Sequence, residues 1–425
     1  MAKAKSKAKY GLPTPLILLI LLTINAAVVP LLLTRYHSLG TISWLQLTPY
    51  AFYLLSLPLS WLWFHFLKFK GDPIIPAIVL TLAGLGIVMQ YRMADATAPD
   101  TWSFTWLAYP IGLFSFLGIT ALLNKNRLSA MAKGNINWLA YLTALAVIIA
   151  MALLGRRYRG GIYMPGNINP SEIIKPLLII FLAGFLAKRN KAFSTAVAGL
   201  PTPRLGSLLL LLTVWVVPMI IILFLKDLGL LILLNAVLVT MLYVVSRRKG
   251  YLVLGSVAVV ALAVAAMTLS PHARTRLEIW QNPFSDPTGK GWQLLQSLSA
   301  MYSGGMWGSG IGAGAPQTVP IAASDFVYAA WAEEVGFFGC ALLLLLLATL
   351  FIRSWRASTT ATLPFAMLLG TGTTAALAFQ TILNIAGVTK ALPLTGIPLP
   401  FISHGGSSLV ATMIMAGLLT AISEK

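Results

Sequence analysis

"SDFVYAAWAEEVGFFGCALLLLLLATLFI", residues 324–352, sets Asp325, Glu333 and Glu334 against an apolar run. These are three of only 11 carboxylates in the chain. Everything after Gly336 reads as a membrane-spanning helix, because no charge interrupts it before Arg353. Glu333 stands eight residues past Asp325, about 12 Å along a helix rising 1.5 Å per residue. Acids at that depth are costly unless they face a wet cavity or a cation.

The rest of the chain fits the same setting. Its 425 residues are 58% hydrophobic and 10% charged, with a mean hydropathy of +0.84. A soluble protein of that composition would lack polar surface, so the bilayer is its solvent. Apolar segments fall at 12–34, 44–67, 73–91, 104–123, 137–155, 172–187, 207–225, 229–246, 251–269, 328–352, 362–383 and 406–422. The fold expected is an all-α polytopic membrane bundle of about twelve spans. The single cysteine, Cys340, excludes disulfides and a thiolate metal site. The four histidines (His37, His65, His272, His404) show no ligand spacing.

A net charge of +19 would suggest nucleic acid in a soluble chain. In a membrane chain the positive-inside rule explains it, and no nucleic-acid partner is expected. Threaded with the N-terminus in the cytoplasm, the inner side receives Lys3, Lys5, Lys7, Lys9, Lys68, Lys70, Lys125, Arg127, Lys133, Lys188, Arg189, Lys191, Arg204, Arg247, Arg248, Lys249, Arg353, Arg356 and Lys425. That is nineteen of the 30 basic residues, which favours this orientation and puts both termini inside. The opening "MAKAKSKAK", residues 1–9, reads as a cytoplasmic anchor rather than a cleaved signal.

Charges on the other side carry more information. In "GRRYRGGIYMPGNINPSEIIKP", residues 155–176, Arg156, Arg157 and Arg159 meet no acid before Glu172. They read either as incidental loop charge or as an anion site, for which guanidinium is well suited. Asn169, Pro170 and Glu172 match an N-cap, a first helical position and the closing acid of a capping box. Glu172 is therefore a structural cap or a functional acid. Lys175 follows in the second helical turn, where the dipole disfavours a cation. It needs a partner in low dielectric. Glu172 shares its face, and Asp325 re-enters from the same side. A Lys175–Asp325 contact, direct or through water, is expected.

The stretch 270–327 is too long for a structureless loop. Trp292, Leu295, Leu298, Ser299 and Tyr302 have helical spacing and predict an interfacial amphipathic helix. "SGGMWGSGIGAGAP", residues 303–316, then allows tight turns. Asp325 reads as a helix cap or as a functional acid at the re-entry point. Residues 384–408, "NIAGVTKALPLTGIPLPFISHGGSS", are broken by proline and glycine between two spans, which predicts a re-entrant, cavity-lining element.

At these residues the chain resembles the SEDS family, the FtsW, RodA and SpoVE proteins. The motifs occur in family order. "RYRGGIYMPGNINPSEIIK" resembles the family's Arg-Trp-Ile…Gln-Pro-Ser-Glu-Phe-x-Lys element. "LKDLGLLILLNAVLVTMLYV" resembles its Pro-Asp-Leu-Gly helix start, at Asp227. "TRLEIWQNPFSDPTGKGWQLLQSLSAMYSGGMWGSGIG" resembles the long outer loop. "SDFVYAAWAEEVGFFG" resembles its Thr-Asp-Phe-Ile-Phe-Ala…Glu-Glu-x-Gly segment, and "LPLTGIPLPFISHGGSS" its signature. The likeness covers about 150–425. Gly160 stands for the usual Trp, and His404 for Tyr.

The resemblance implies an inverting glycosyltransferase that polymerises lipid II beside a class B penicillin-binding protein. It implies a bacterial cytoplasmic-membrane location, an active site facing the outer side, and ten spans in the family core. Two segments then precede that core. The expected organisation is a tail at 1–11, N-terminal membrane segments at 12–136, and a catalytic core at 137–425 with the outer loop 270–327. The essential aspartate of the family maps onto Asp325, and its Glu and Lys onto Glu172 and Lys175. Arg159 maps onto the family arginine and, with Arg276, is expected at the substrate, as are Glu333, Glu334, Ser403, His404 and Ser407. Asp325 would serve as general base for a sugar hydroxyl. Arg159, Lys175, Arg276 or a divalent cation such as Mg or Mn would stabilise the departing pyrophosphate. Two other classes compete. A lipid flippase or carrier would place its charges at the midplane. A scaffold that only recruits a transpeptidase would not need Asp325 paired with Lys175.

Overall fold

Among the described residues, twelve long helices coincide with the twelve apolar segments. The computed structural model describes residues 11–39, 44–93, 103–158, 161–164, 169–197, 200–269 and 271–424. Arg159 and Gly160 lie outside the described residues, as does the basic stretch 1–9. Among the described residues, α1 (Thr14–Leu39), α2 (Trp44–Phe66), α3 (Ile74–Met93) and α4 (Ser103–Leu122) come first. Then follow α5 (Lys125–Lys133), α6 (Ile136–Leu154) and a small antiparallel hairpin, β1 (Arg156–Tyr158) with β2 (Gly161–Tyr163). Next are α7 (Ser171–Lys188), α8 (Asn190–Phe193) and a second small hairpin, β3 (Ala196–Val197) with β4 (Leu200–Pro201). The chain continues through α9 (Leu205–Phe224), α10 (Leu228–Ser246), α11 (Gly250–Leu269), α12 (Pro271–Gln281) and α13 (Trp292–Gly304). It ends in α14 (Val327–Thr359), α15 (Pro364–Val388) and α16 (Gly406–Ser423).

Seven of these helices are long and apolar enough to cross a membrane on those two properties alone, and an eighth span is formed by residues 107–133 if the bent α4–α5 pair is counted. The 86° bend turns α5 away from α4 at Leu123–Asn124. The Asn124 side chain caps the new helix by accepting from Arg127 N–H. The chain is a multi-pass membrane protein.

Two apolar cores hold the bundle. One joins α1–α4, the start of α14 and the 399–402 turn through Ile24, Tyr53, Leu80, Phe116, Phe326 and Ile402. The other joins α6, α7, α9, α10, α15 and α16 through Ile148, Leu178, Trp215, Val237, Leu369 and Leu419. Each has the close-packed character of a soluble core. Outward faces such as Leu153, Leu209, Val253 and Leu345 remain exposed, as lipid-facing surface does.

Residues 271–327 fold around α13. It buries Leu294, Ser297, Ala300 and Gly304, while Trp292 and Tyr302, on the face expected at the membrane interface, are exposed. The reason is steric. A Cβ on Gly304 would stand 2.1 Å from the Ala332 carbonyl, so the small-residue face packs on α14 and the aromatics turn outward.

α14 is broken at Gly336, whose φ of 64° and ψ of −167° leave the helix. The 304–310 turn fills the break. Phe337 N–H donates to Gly305 O at 2.9 Å and Phe338 N–H to Met306 O at 3.2 Å. A Cβ at Gly336 would meet Gly308 N at 2.3 Å, so both positions require glycine.

Candidate functional site

Asp325 ends the segment between α13 and α14, and three successive carbonyls there are held in place. Ala323 O accepts from His404 N–H at 2.6 Å. Ser324 O accepts from the Ser403 hydroxyl at 2.6 Å. Asp325 O accepts from the Asn384 amide at 2.9 Å. The donors come from the 384–408 stretch, which descends from α15 and turns back into α16. Its backbone is irregular over 389–405, between α15 and α16, with Ile397 and residues 399–403 buried. Gln90 of α3 braces it from behind, donating through Nε2 to Ile402 O at 2.9 Å and accepting through Oε1 from His404 Nδ1 at 2.8 Å.

Arg276 supplies the positive charge beside Asp325. Its Nη1 donates to Leu394 O at 2.9 Å, while Trp280 Nε1 donates to Lys390 O at 3.0 Å, so α12 is docked on the same stretch. Gly396, with φ of +71°, passes between the two charges. A Cβ there would stand 3.3 Å from Arg276 Nη2 and 3.6 Å from Asp325 Oδ2. Burial pushes the Asp325 carboxyl above the usual carboxylate range, and the Arg276 guanidinium pulls it partly back.

The expected Lys175–Asp325 ion pair does not form among the described residues. Lys175 is buried and pairs with Glu172 at 2.5 Å. It also donates to Gln380 Oε1 at 2.7 Å. Glu172 accepts from the Ser408 hydroxyl at 3.2 Å. The capping box is likewise incomplete. Asn169 Oδ1 accepts from Ser171 N–H at 3.1 Å, but the Glu172 carboxylate turns to Lys175. A buried ammonium is costlier to leave alone than a helix-end N–H, so the nearer acid neutralises it.

Asp227 is a member of this cluster that the candidate set omitted. It caps α10 by accepting from Leu230 N–H at 3.0 Å. It also lies within electrostatic reach of Glu172, Lys175, Arg276 and Asp325. Three acids and two bases thus share one end of α7, α10, α12 and α14.

Glu333 and Glu334, expected at the substrate, are engaged with protein groups in this structure. Both are buried. Glu333 Oε1 accepts from Ala315 N–H at 2.8 Å. Glu334 pairs with Arg92 at 2.5 Å and accepts from Gly312 N–H at 3.2 Å. They fasten the glycine-rich turn to α14 and α3.

Ser403 has its hydroxyl engaged within the turn, since it also accepts from Leu399 N–H at 2.7 Å. His404 is exposed. It shares with Gln90, Ala108 and Tyr109 a small, mostly apolar recess between α3, α4 and the 401–409 turn. Ser407 is half-buried in the first turn of α16, where its neighbour Ser408 makes the contact to Glu172. Among the described residues, no three His, Cys, Asp or Glu side chains converge in metal-holding geometry.

A family profile described as "Cell cycle protein", FtsW/RodA/SpoVE, matches residues 73–425, from the approach to α3 onward. α1 and α2 precede that match. The chain is 38% identical over 226 residues to "Peptidoglycan glycosyltransferase RodA" of Mycobacterium tuberculosis, covering 53% of this chain and 48% of that protein. It is 33% identical over 200 residues to "Stage V sporulation protein E" of Bacillus subtilis, covering 47% and 55%. The matched stretches thus span about half the length of these curated relatives. A solved structure described as "Structural coordination of polymerization and crosslinking by a peptidoglycan synthase complex" superposes with a TM-score of 0.67 at 25% identity, covering 83% of this chain and 98% of the other. The Thermus thermophilus rod shape determining protein RodA superposes with a TM-score of 0.58 at 23% identity, covering 83% and 97%.

Proposed function

Because the chain belongs to the FtsW/RodA/SpoVE family of cell cycle proteins, we propose that it is a peptidoglycan glycosyltransferase that joins lipid II units into glycan strands. The observation that carries this reading is Asp325 itself. It is a carboxylate with a raised pKa, beside Arg276, on a backbone held at three consecutive carbonyls. Such a group suits general-base work on a sugar hydroxyl.

In the proposed reaction the 4-hydroxyl of an acceptor GlcNAc attacks the glycosyl carbon of a lipid-linked donor. Asp325 takes the hydroxyl proton as the new carbon–oxygen bond forms. The bond to undecaprenyl pyrophosphate breaks on the opposite face, and the configuration inverts. Arg276 lies beside Asp325 and would balance the growing pyrophosphate charge. Lys175 is one step back, and Glu172 holds it until an anion competes for it. No step is assigned to a divalent cation, since the described carboxylates do not gather around a common point. The active site would face the outside of the cytoplasmic membrane, with both termini inside. A class B penicillin-binding protein would crosslink the product. The likeness to a peptidoglycan synthase complex supports that partner.

The test is purified protein incubated with lipid II, alone and with a class B penicillin-binding protein. Glycan strands should appear, and Asp325→Asn should abolish them while the protein still inserts and folds. A variant that polymerises at the wild-type rate would refute the assignment.

A further inference from the structure

α15 presents two buried amides one turn apart, Gln380 and Asn384. Residues at i and i+4 share a helix face. Both amides bridge the same stretch of backbone to the charged cluster. Gln380 Nε2 donates to Pro398 O at 2.9 Å, and its Oε1 accepts from Lys175 Nζ at 2.7 Å. Asn384 Nδ2 donates to Ile397 O at 2.7 Å and to Asp325 O at 2.9 Å. One nitrogen of Asn384 therefore ties the re-entry point to the 384–408 stretch. Its oxygen, Oδ1, is buried and makes no hydrogen bond to the protein.

We infer that Gln380 and Asn384 form a two-amide bracket that sets the position of Asp325 relative to Lys175, making both positioning residues for the reaction. The inference rests on the glycosyltransferase reading for its kinetic consequence, but not for its structural one. The argument is geometric. Lys175 and Asp325 do not touch, so nothing between their own side chains fixes their separation. What fixes it is α15, a helix whose repeat is rigid, gripping adjacent carbonyls 397 and 398 with one amide each. Through the same two side chains it grips the ammonium at one end and the Asp325 main chain at the other. The unpartnered Oδ1 is consistent with a residue retained for its two donor contacts, since an apolar residue of similar shape would avoid a buried unsatisfied acceptor. Side chains that hold a reacting group matter at the scale of 1 Å, and such a misplacement costs about 100-fold in rate.

The decisive variant is Asn384→Leu, close in volume and lacking the donors. It should lower kcat for glycan-strand formation about 100-fold and leave KM for lipid II within about threefold, since a positioning group acts in the transition state. Its melting temperature should match the wild type within a few degrees. Hydrogen–deuterium exchange, which needs no activity, should rise only in 321–327 and 395–399. Asn384→Asp, which sets an acceptor against two carbonyls, should show the same pattern more strongly. Gln380→Glu keeps the bond to Lys175 but loses the donation to Pro398, and it should raise exchange at 397–399 alone. If the leucine variant keeps kcat within about threefold of wild type, or if exchange rises throughout the protein, the bracket is overturned. If wild type makes no strands, the glycosyltransferase reading fails, and the local exchange pattern still decides the bracket.

Discussion

At the scale of the residue, Asp325, the proposed general base, combines a raised pKa with a role that would require negative charge. A general base must be ionised to work. Burial opposes ionisation, so the acidic limb of kcat/KM should lie above the ordinary carboxylate range. Arg276 favours the anion, so Arg276→Leu should raise the Asp325 pKa and move the limb to higher pH; a limb that stays put would remove Arg276 from this role. Stability follows with the opposite sign. A carboxyl whose folded pKa is raised contributes stability below its unfolded pKa and loses it as pH rises through the folded pKa. Inactive Asp325→Asn should therefore melt no lower than wild type at pH 7, with any gain vanishing in acid. Thermal scans at both pH values check this. Lys175 behaves differently because its acid is adjacent. Lys175→Met strands the Glu172 carboxylate and should cost ~3–5 kcal/mol. Adding Glu172→Gln should cost less than the sum of the two single changes. The likelihood of a pairing at Lys175 was legible in the sequence, because a cation in that turn needs an anion. The choice of partner was not, because it turned on the distance to Asp325. Gln90, Gln380 and Asn384 went unremarked for a related reason. They act on main-chain carbonyls, which carry no sequence signature.

At the scale of the element, the sequence marked where order breaks better than which faces pack. The prolines and glycines of 384–408 predicted irregular backbone, and the structure has it. For α13, apolar spacing marked the face that carries exposed Trp292 and Tyr302, but not the small-residue face that packs on α14, where Gly304 permits a close approach. Periodicity reports hydrophobicity, and in lipid the hydrophobic face need not be the buried one. The break in α14 is the sharpest element-level feature. Its Gly336 has a backbone conformation other residues rarely adopt, and Gly308 leaves no room for a Cβ. Gly336→Ala should cost at least ~1–3 kcal/mol from backbone strain alone. The 303–316 turn should become sensitive to limited proteolysis, because Phe337 and Phe338 lose the carbonyls that cap them. An alanine variant with wild-type melting and cleavage would show that the break tolerates a side chain.

At the scale of the whole molecule, the spans were legible because an apolar run of bilayer length has few other uses. The expected orientation rests on charge alone, and the structure gathers that charge. Lys188 Nζ donates to Gly134 O at 2.8 Å, joining the end of α7 to the α5–α6 turn. Arg204 N–H donates to Ala192 O at 3.0 Å, and the Tyr251 hydroxyl donates to Phe193 O at 3.1 Å, bringing the starts of α9 and α11 to the same end. Lys125, Arg127, Lys133, Lys191, Arg204, Arg247, Arg248 and Lys249 are exposed there. Asp227, Arg276 and Asp325 lie where α7 and α10 begin, at the other end. In the proposed orientation, which rests on the positive-inside rule, the basic end is cytoplasmic and the Asp325 end is outside. A cysteine replacing exposed Lys290 should react with a membrane-impermeant maleimide added to intact cells freed of their outer barrier. One replacing exposed Lys191 should react only after the membrane is opened. Cys340, the one native thiol, is buried and should contribute little background. The reverse pattern would place Asp325 in the cytoplasm, on the wrong side for a polymerase of exported precursors, and would overturn both the orientation and the proposed reaction.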